Sequence, residues 1–167
     1  YKGYVFKKVS KFDKTYDDFW NKYNKKYQFI LDRNSKFLNW RYADRPDQRY
    51  FLNLIFKKKE LEGYFILKKY TQKKKTTIHI IDIFSKVQDQ KKTNLLILAI
   101  NVFIKKEFTN FLDISLWLNG SKKFQNSLKN AGYQISSSRK MIYKKIKKKN
   151  INFKNMYFTM GDTLEIY

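Results

Sequence analysis

The order in which hydrophobic periodicity changes along this chain constrains its fold more than any single residue does. Short β-rich runs and stretches with apolar residues every three or four positions follow one another as strand, two helices, three strands, helix, strand, helix and two further strands. Residues 3–9 predict the first strand. Asp13 then caps a helix whose apolar face is Tyr16, Phe19, Trp20, Tyr23 and Tyr27, with Asp17 and Asp18 in the early turns where negative charge is favoured. Asn34 caps a second helix carrying Phe37, Leu38, Trp40 and Arg41, and Pro46 ends it. Residues 50–56 and 64–70 form a hairpin, joined through Lys57-Lys58-Lys59-Glu60-Leu61-Glu62-Gly63 with Gly63 supplying a positive φ. Residues 76–84 are more continuously apolar, as in a strand buried on both faces.

The second half repeats this logic. Thr93 or Asn94 caps a third helix with the stripe Leu95, Leu96, Leu98, Ala99, Val102 and Phe103. Residues 111–118 are a strand, and Asn119-Gly120-Ser121 turns the chain into a short helix that Gly132 ends as a left-handed cap. Residues 133–136, 141–146 and 156–160 are the remaining strand candidates. A strand, a crossover helix and a second strand must lie parallel in one sheet. The expectation is therefore an α/β (α+β) fold, a mixed central sheet of about six to seven strands with helices on both faces. No linker or repeat divides residues 1–167, which read as one domain, and the start at Tyr1 reads as a cut from a longer chain.

Composition narrows the function. A hydrophobic fraction of 43% over 167 residues supports a real core. Without Cys there is no disulfide, thiolate metal site or Cys nucleophile, and one His leaves no His-based zinc site. The longest apolar run, within residues 95–104, is interrupted by Asn101 and is about half of the ~20 residues a membrane span needs, so no span is expected and the location reads as cytoplasmic. The net charge of +23 is carried almost wholly by Lys, in a chain also rich in Asn, Ile, Phe and Tyr, residues that share AT-rich codons. Codon bias therefore explains the charge, with weak, non-specific polyanion binding as its by-product. A basic nucleic-acid-binding module is the alternative that charge alone supports.

The turn after residue 84 is where chemistry could sit. A buried strand running through a short polar turn into a helix directs backbone N–H groups and a positive dipole end at one spot. Ile83, Ser85 and Gln88, then Lys91 and Thr93 with Leu96 beyond, resemble the acyl-CoA signature of the GNAT acyltransferase family; Lys91 and Thr93 stand where that signature has glycines. Asn119 followed by Leu128-Lys129-Asn130-Ala131-Gly132-Tyr133 is similar to the family's ending, with Leu128 where the family has a proton-donating Tyr. Residues 33–42 with Pro46 and Tyr50, together with Met156-Tyr157-Phe158-Thr159-Met160-Gly161-Asp162, resemble a GNAT-like subgroup whose members often carry a second acyltransferase-like half.

The resemblance implies an acetyl-CoA or other acyl-CoA co-substrate held by Ile83, Phe84, Ser85, Gln88, Asp89, Gln90, Lys91, Lys92, Thr93 and Asn119, and a small-molecule amine acceptor. His79 is the candidate general base, weighed against a role as a satisfied core histidine. Strict alternation would put Asp82 on the opposite face from His79. Arg41 is expected to pair with Asp44 or Asp47 beside a core Trp40, or to meet an anion with Trp40 as a stacking platform. Two functions stay open: an N-acyltransferase, and a catalytically silent GNAT fold that binds or scaffolds beside an active half. The substituted glycines and Leu128 favour the second.

Overall fold

The hairpin strands are the centre of the architecture. A computed structural model describes residues 3–46, 49–87, 89–119, 121–136 and 156–163. In chain order these form β1 (Tyr4–Val9), α1 (Lys14–Tyr23), a 3-10 turn (Asn24–Lys26), β2 (Phe29–Ile30), α2 (Ser35–Leu38) running into a π-helical turn (Asn39–Ala43), β3 (Tyr50–Lys57), β4 (Glu60–Gln72), β5 (Lys75–Ser85), α3 (Gln90–Glu107), β6 (Asp113–Leu116), β7 (Leu118–Asn119), α4 (Lys122–Asn130), β8 (Met156–Thr159) and a 3-10 turn (Met160–Asp162). The larger sheet has the order β1-β3-β4-β5-β6. Its pairs are antiparallel up to β5, and β6 lies parallel to β5, as the α3 crossover requires. A smaller sheet, β2-β8-β7, joins the early chain to its late part. Residues 133–136 carry no strand, and 141–146 lie outside the described residues.

Each helix starts where a polar side chain takes up an orphan amide. The carboxylate of Asp13 accepts from the N–H of Tyr16, and the Asn34 side chain accepts from that of Phe37. At α3 the cap is Asp89 rather than Thr93 or Asn94, and its carboxylate accepts from the N–H of Lys92. The end of α4 follows expectation. Gly132 has φ 89°, and Tyr133 donates its N–H back to the Leu128 carbonyl. Gly63 is not a turn residue. It lies within β4, where a Cβ would collide with the Phe84 carbonyl oxygen. The two hairpin turns are made by Lys58-Lys59 and Lys73-Lys74, all four at positive φ between 47° and 67°.

The sheet is covered on both faces. On one, Phe12, Tyr16, Phe19 and Trp20 with Leu38 and Tyr42 pack on Leu52, Tyr64, Ile66 and Phe84. On the other, Leu96, Ile97, Ile100, Phe103 and Ile104 of α3 pack on Ile55, Phe65, Leu67, Ile78, Ile80 and Ile83. At about 1.5–3 kcal/mol for each fully buried aliphatic or Phe side chain, these two layers dominate the favourable side of folding. No helix among the described residues is long and apolar enough to cross a membrane.

Candidate functional site

The site begins where two parallel strands part. β5 and β6 pair from Thr77 with Asp113 to Ile80 with Leu116 and no further, after which β7 pairs with β8 instead. On the other side of β5, the register with β4 passes from Ile66 opposite Asp82 to Leu67 opposite Ile80, leaving Ile81 as a bulge. Beyond the parting a cleft of about 390 Å³ opens. Ser85 and Val87 line it from the end of β5, Thr93 from α3, Ser121 to Phe124 from the start of α4, and Lys26, Tyr27 and Tyr157 from the smaller sheet's side. Strand order thus brings Ser85 and Thr93 of the predicted turn together. Lys26, Tyr27, Tyr157 and the Lys122-Lys123 pair gave no local sequence signal for this role.

The helix end that should offer free amides already has one of them taken by its own cap. Asp89 accepts from the Lys92 N–H at 2.9 Å, and that bond holds its exposed carboxyl below the usual carboxylate range. The Thr93 N–H and hydroxyl both turn back to the Asp89 carbonyl, at 2.9 and 2.8 Å. Gln90 does not face the cleft as a ligand. Its amide meets Asn94 within α3 and ties α3 to α4 through the Lys123 carbonyl and Ser127. Lys91 and Lys92 are exposed, Ile83 and Phe84 are buried, and Asn119 sits on β7 opposite Phe158. Gln88 lies outside the described residues.

Tyr157 closes the other half of the site. Its hydroxyl donates to the Ile83 carbonyl, three residues past the last β5–β6 pair. Burial raises the Tyr157 phenol well above its ordinary value and raises that of Tyr27 beside it, so both hold their protons.

His79 and Asp82 of β5 are held elsewhere. Because of the bulge, Asp82 and His79 lie on the same face, not on opposite ones. Asp82 pairs with Ile66 and receives the Tyr64 hydroxyl, while His79 pairs with Lys68, two residues further along β4 on the same side. Asp82 accepts from Arg33 Nε at 3.1 Å, Tyr64 at 3.0 Å and Thr159 at 3.0 Å. Arg33, 0% exposed, also donates through Nη2 to Asp162 at 2.5 Å and through Nη1 to the Leu31 carbonyl at 3.0 Å. Burial works against its charge, and Asp82, Tyr64 and Asp162 outweigh that, holding its pKa well above the ordinary value. His79 Nδ1 lies 2.6 Å from Ser115 Oγ on β6, away from the cleft-lining residues. Arg41 does not pair with Asp44, whose carboxylate meets Lys11, and Asp47 lies outside the described residues. Arg41 donates to the Gly161 and Thr163 carbonyls, and Trp40 is 61% exposed rather than core. The two segments of the subgroup resemblance are therefore clasped to each other.

The fold has counterparts among solved structures. A possible acetyltransferase from Clostridium difficile superposes with a TM-score of 0.55 at 8% identity, covering 86% of this chain and 99% of that one. A GNAT family acetyltransferase from Staphylococcus aureus gives 0.51 at 19% identity, covering 84% and 98%. The chain has the GNAT fold. A Thermus thermophilus protein also superposes, with a TM-score of 0.52, 13% identity and coverage of 86% and 99%. No family model and no curated protein matches the sequence.

Proposed function

We propose that this domain is a catalytically silent GNAT fold that serves as a binding or scaffolding unit, in the manner of a half that accompanies an active partner. The observation that carries this is the Tyr157 hydroxyl on the Ile83 carbonyl, which fills the acceptor released where β5 and β6 part. An acyl-CoA wedged where these strands part, as the GNAT resemblance implies, would find that carbonyl already taken. Asp89 adds to the case, since an ionised carboxylate already sits on the α3 amides and repels a pyrophosphate. Acyl-CoA does not fit the residues present, and among the described residues no carboxylate or imidazole lines the cleft: Asp82 is sealed by Arg33, and His79 is held at Ser115. The acyltransferase reading, with an amine acceptor, keeps one observation on its side, the open cleft beside Tyr27, Ser85 and Thr93.

Calorimetric titration with acetyl-CoA separates the two. The unmodified domain is expected to give no binding up to ~1 mM ligand. Asp89→Asn keeps the cap without its charge, and Tyr157→Phe frees the carbonyl while keeping the ring. The double variant is expected to bind at least tenfold more tightly. Micromolar binding by the unmodified domain would overturn the silent reading.

A further inference from the structure

Helix α3 carries two apolar stripes, and only one is buried. Leu96, Ile97, Ile100, Phe103 and Ile104 face the sheet. Leu95, Leu98 and Val102 recur at i, i+3 and i+7 on the outer side, 36%, 40% and 50% exposed. That spacing sets them in one line over about two turns, roughly 10 Å. A surface helix of this kind ordinarily has polar residues there. The same line continues into exposed Lys91 one turn before Leu95, and into exposed Lys105 and Lys106 after Val102. Glu107, the one acid in the helix, is ion-paired with Lys8 of β1. The face is therefore aliphatic in the middle and cationic at both ends, with no free acid of its own helix.

We propose that this face docks an acidic amphipathic helix of another protein, its aliphatic residues lying on Leu95, Leu98 and Val102 and its carboxylates meeting Lys91, Lys105 and Lys106. Charge complementarity selects this occupant. A second copy of a chain with net charge +23 would bring the same lysines against these. A lipid surface takes up the whole apolar face of a helix to a depth of about 5–10 Å, whereas these three aliphatic residues form a single line already about half covered. The proposal gives the binding role above a partner class and rests on it.

The test uses three labelled helical peptides, each titrated to ~1 mM by fluorescence anisotropy at ~0.15 M salt. One has Leu at i, i+3 and i+7 with Glu at both ends. A second has Lys in place of Glu, and a third keeps the Glu count with the Leu line scrambled. The first is expected to bind, with the other two at least tenfold weaker. Leu98→Glu, an exposed position whose fold is checked by circular dichroism, is expected to weaken binding at least tenfold, and Lys105→Glu with Lys106→Glu severalfold. Absence of binding by the first peptide, equal binding by the scrambled one, or indifference to Leu98→Glu would overturn the proposal. So would dimerisation in sedimentation, or binding to phosphatidylcholine–phosphatidylserine vesicles, that Leu98→Glu abolishes. Acetyl-CoA titration of the Leu98→Glu protein is expected to match the unmodified domain, so failure at this face and failure of the silent reading give separate results.

Discussion

Gly161 and Tyr42 are fitted to each other at the rim of the buried ion network. A Cβ on Gly161 would overlap the Tyr42 hydroxyl, which is buried with no hydrogen-bond partner among the described residues. An unpaired buried hydroxyl costs about 1–3 kcal/mol. Tyr42→Phe is therefore expected to raise the unfolding free energy by about 1 kcal/mol in urea titration; a loss would mean that the hydroxyl has a partner in solution. Gly161→Ala is expected to cost about 1–3 kcal/mol by overpacking, and less in the Tyr42→Phe background. Arg33→Met leaves Asp82 and Asp162 buried without their cation, for an expected loss of about 3–5 kcal/mol. Burial depresses the His79 pKa below its usual 6.5, aided by Lys68 and opposed by Asp113. The unfolded chain then binds the proton more readily. Stability from this group is fully present above pH 6.5 and is lost as pH falls through the depressed native value. Thermal melts are expected to show this acid-side loss in the unmodified domain and a smaller one in His79→Gln. None of the Arg33 network was legible locally. Its carboxylates stand 49 and 129 residues away, and periodicity reports only near neighbours.

At the scale of elements, the sequence announced most strands and helices because each buries one face, and that leaves a period of 2 or 3.6. It misled where an element departs from its period. The Ile81 bulge adds one residue to β5, so strict counting put Asp82 on the wrong face. The β2 strand is only two residues long and shows no pattern at all. The Asp89 cap was overlooked because Thr93 and Asn94 offer the same chemistry a turn later. The lysine turns show another departure. Hairpins of this kind favour Asn-Gly, since both central residues take positive φ, yet Lys73 and Lys74 sit at 47° and 65°. Replacing them with Asn-Gly is expected to raise stability by about 1–2 kcal/mol, seen as a higher urea midpoint with an unchanged slope. An unchanged midpoint would mean that the lysines rest there without strain.

Taken whole, the molecule is a polycation around two apolar layers. With a net charge of +23, gel shifts with unrelated DNA duplexes are expected to show binding at low salt that collapses near ~0.15 M for every sequence alike. Retention of one sequence at that salt would instead mark a specific nucleic-acid surface. The element order made the larger sheet readable in advance, because a crossover helix leaves few topologies. The smaller sheet was not readable, because it joins Phe29 to Met156 across most of the chain. That closure has a consequence for synthesis. Arg33 emerges from the ribosome 129 residues ahead of Asp162, an interval on the order of ten seconds at about 5–20 residues per second. Throughout it, a guanidinium destined for the interior lacks one of its two counter-ions, and β2 has no strand to join. The nascent chain must wait for Met156 to Asp162 before this network can close, and a message truncated shortly before Asp162 would leave the product open to chaperones and proteases.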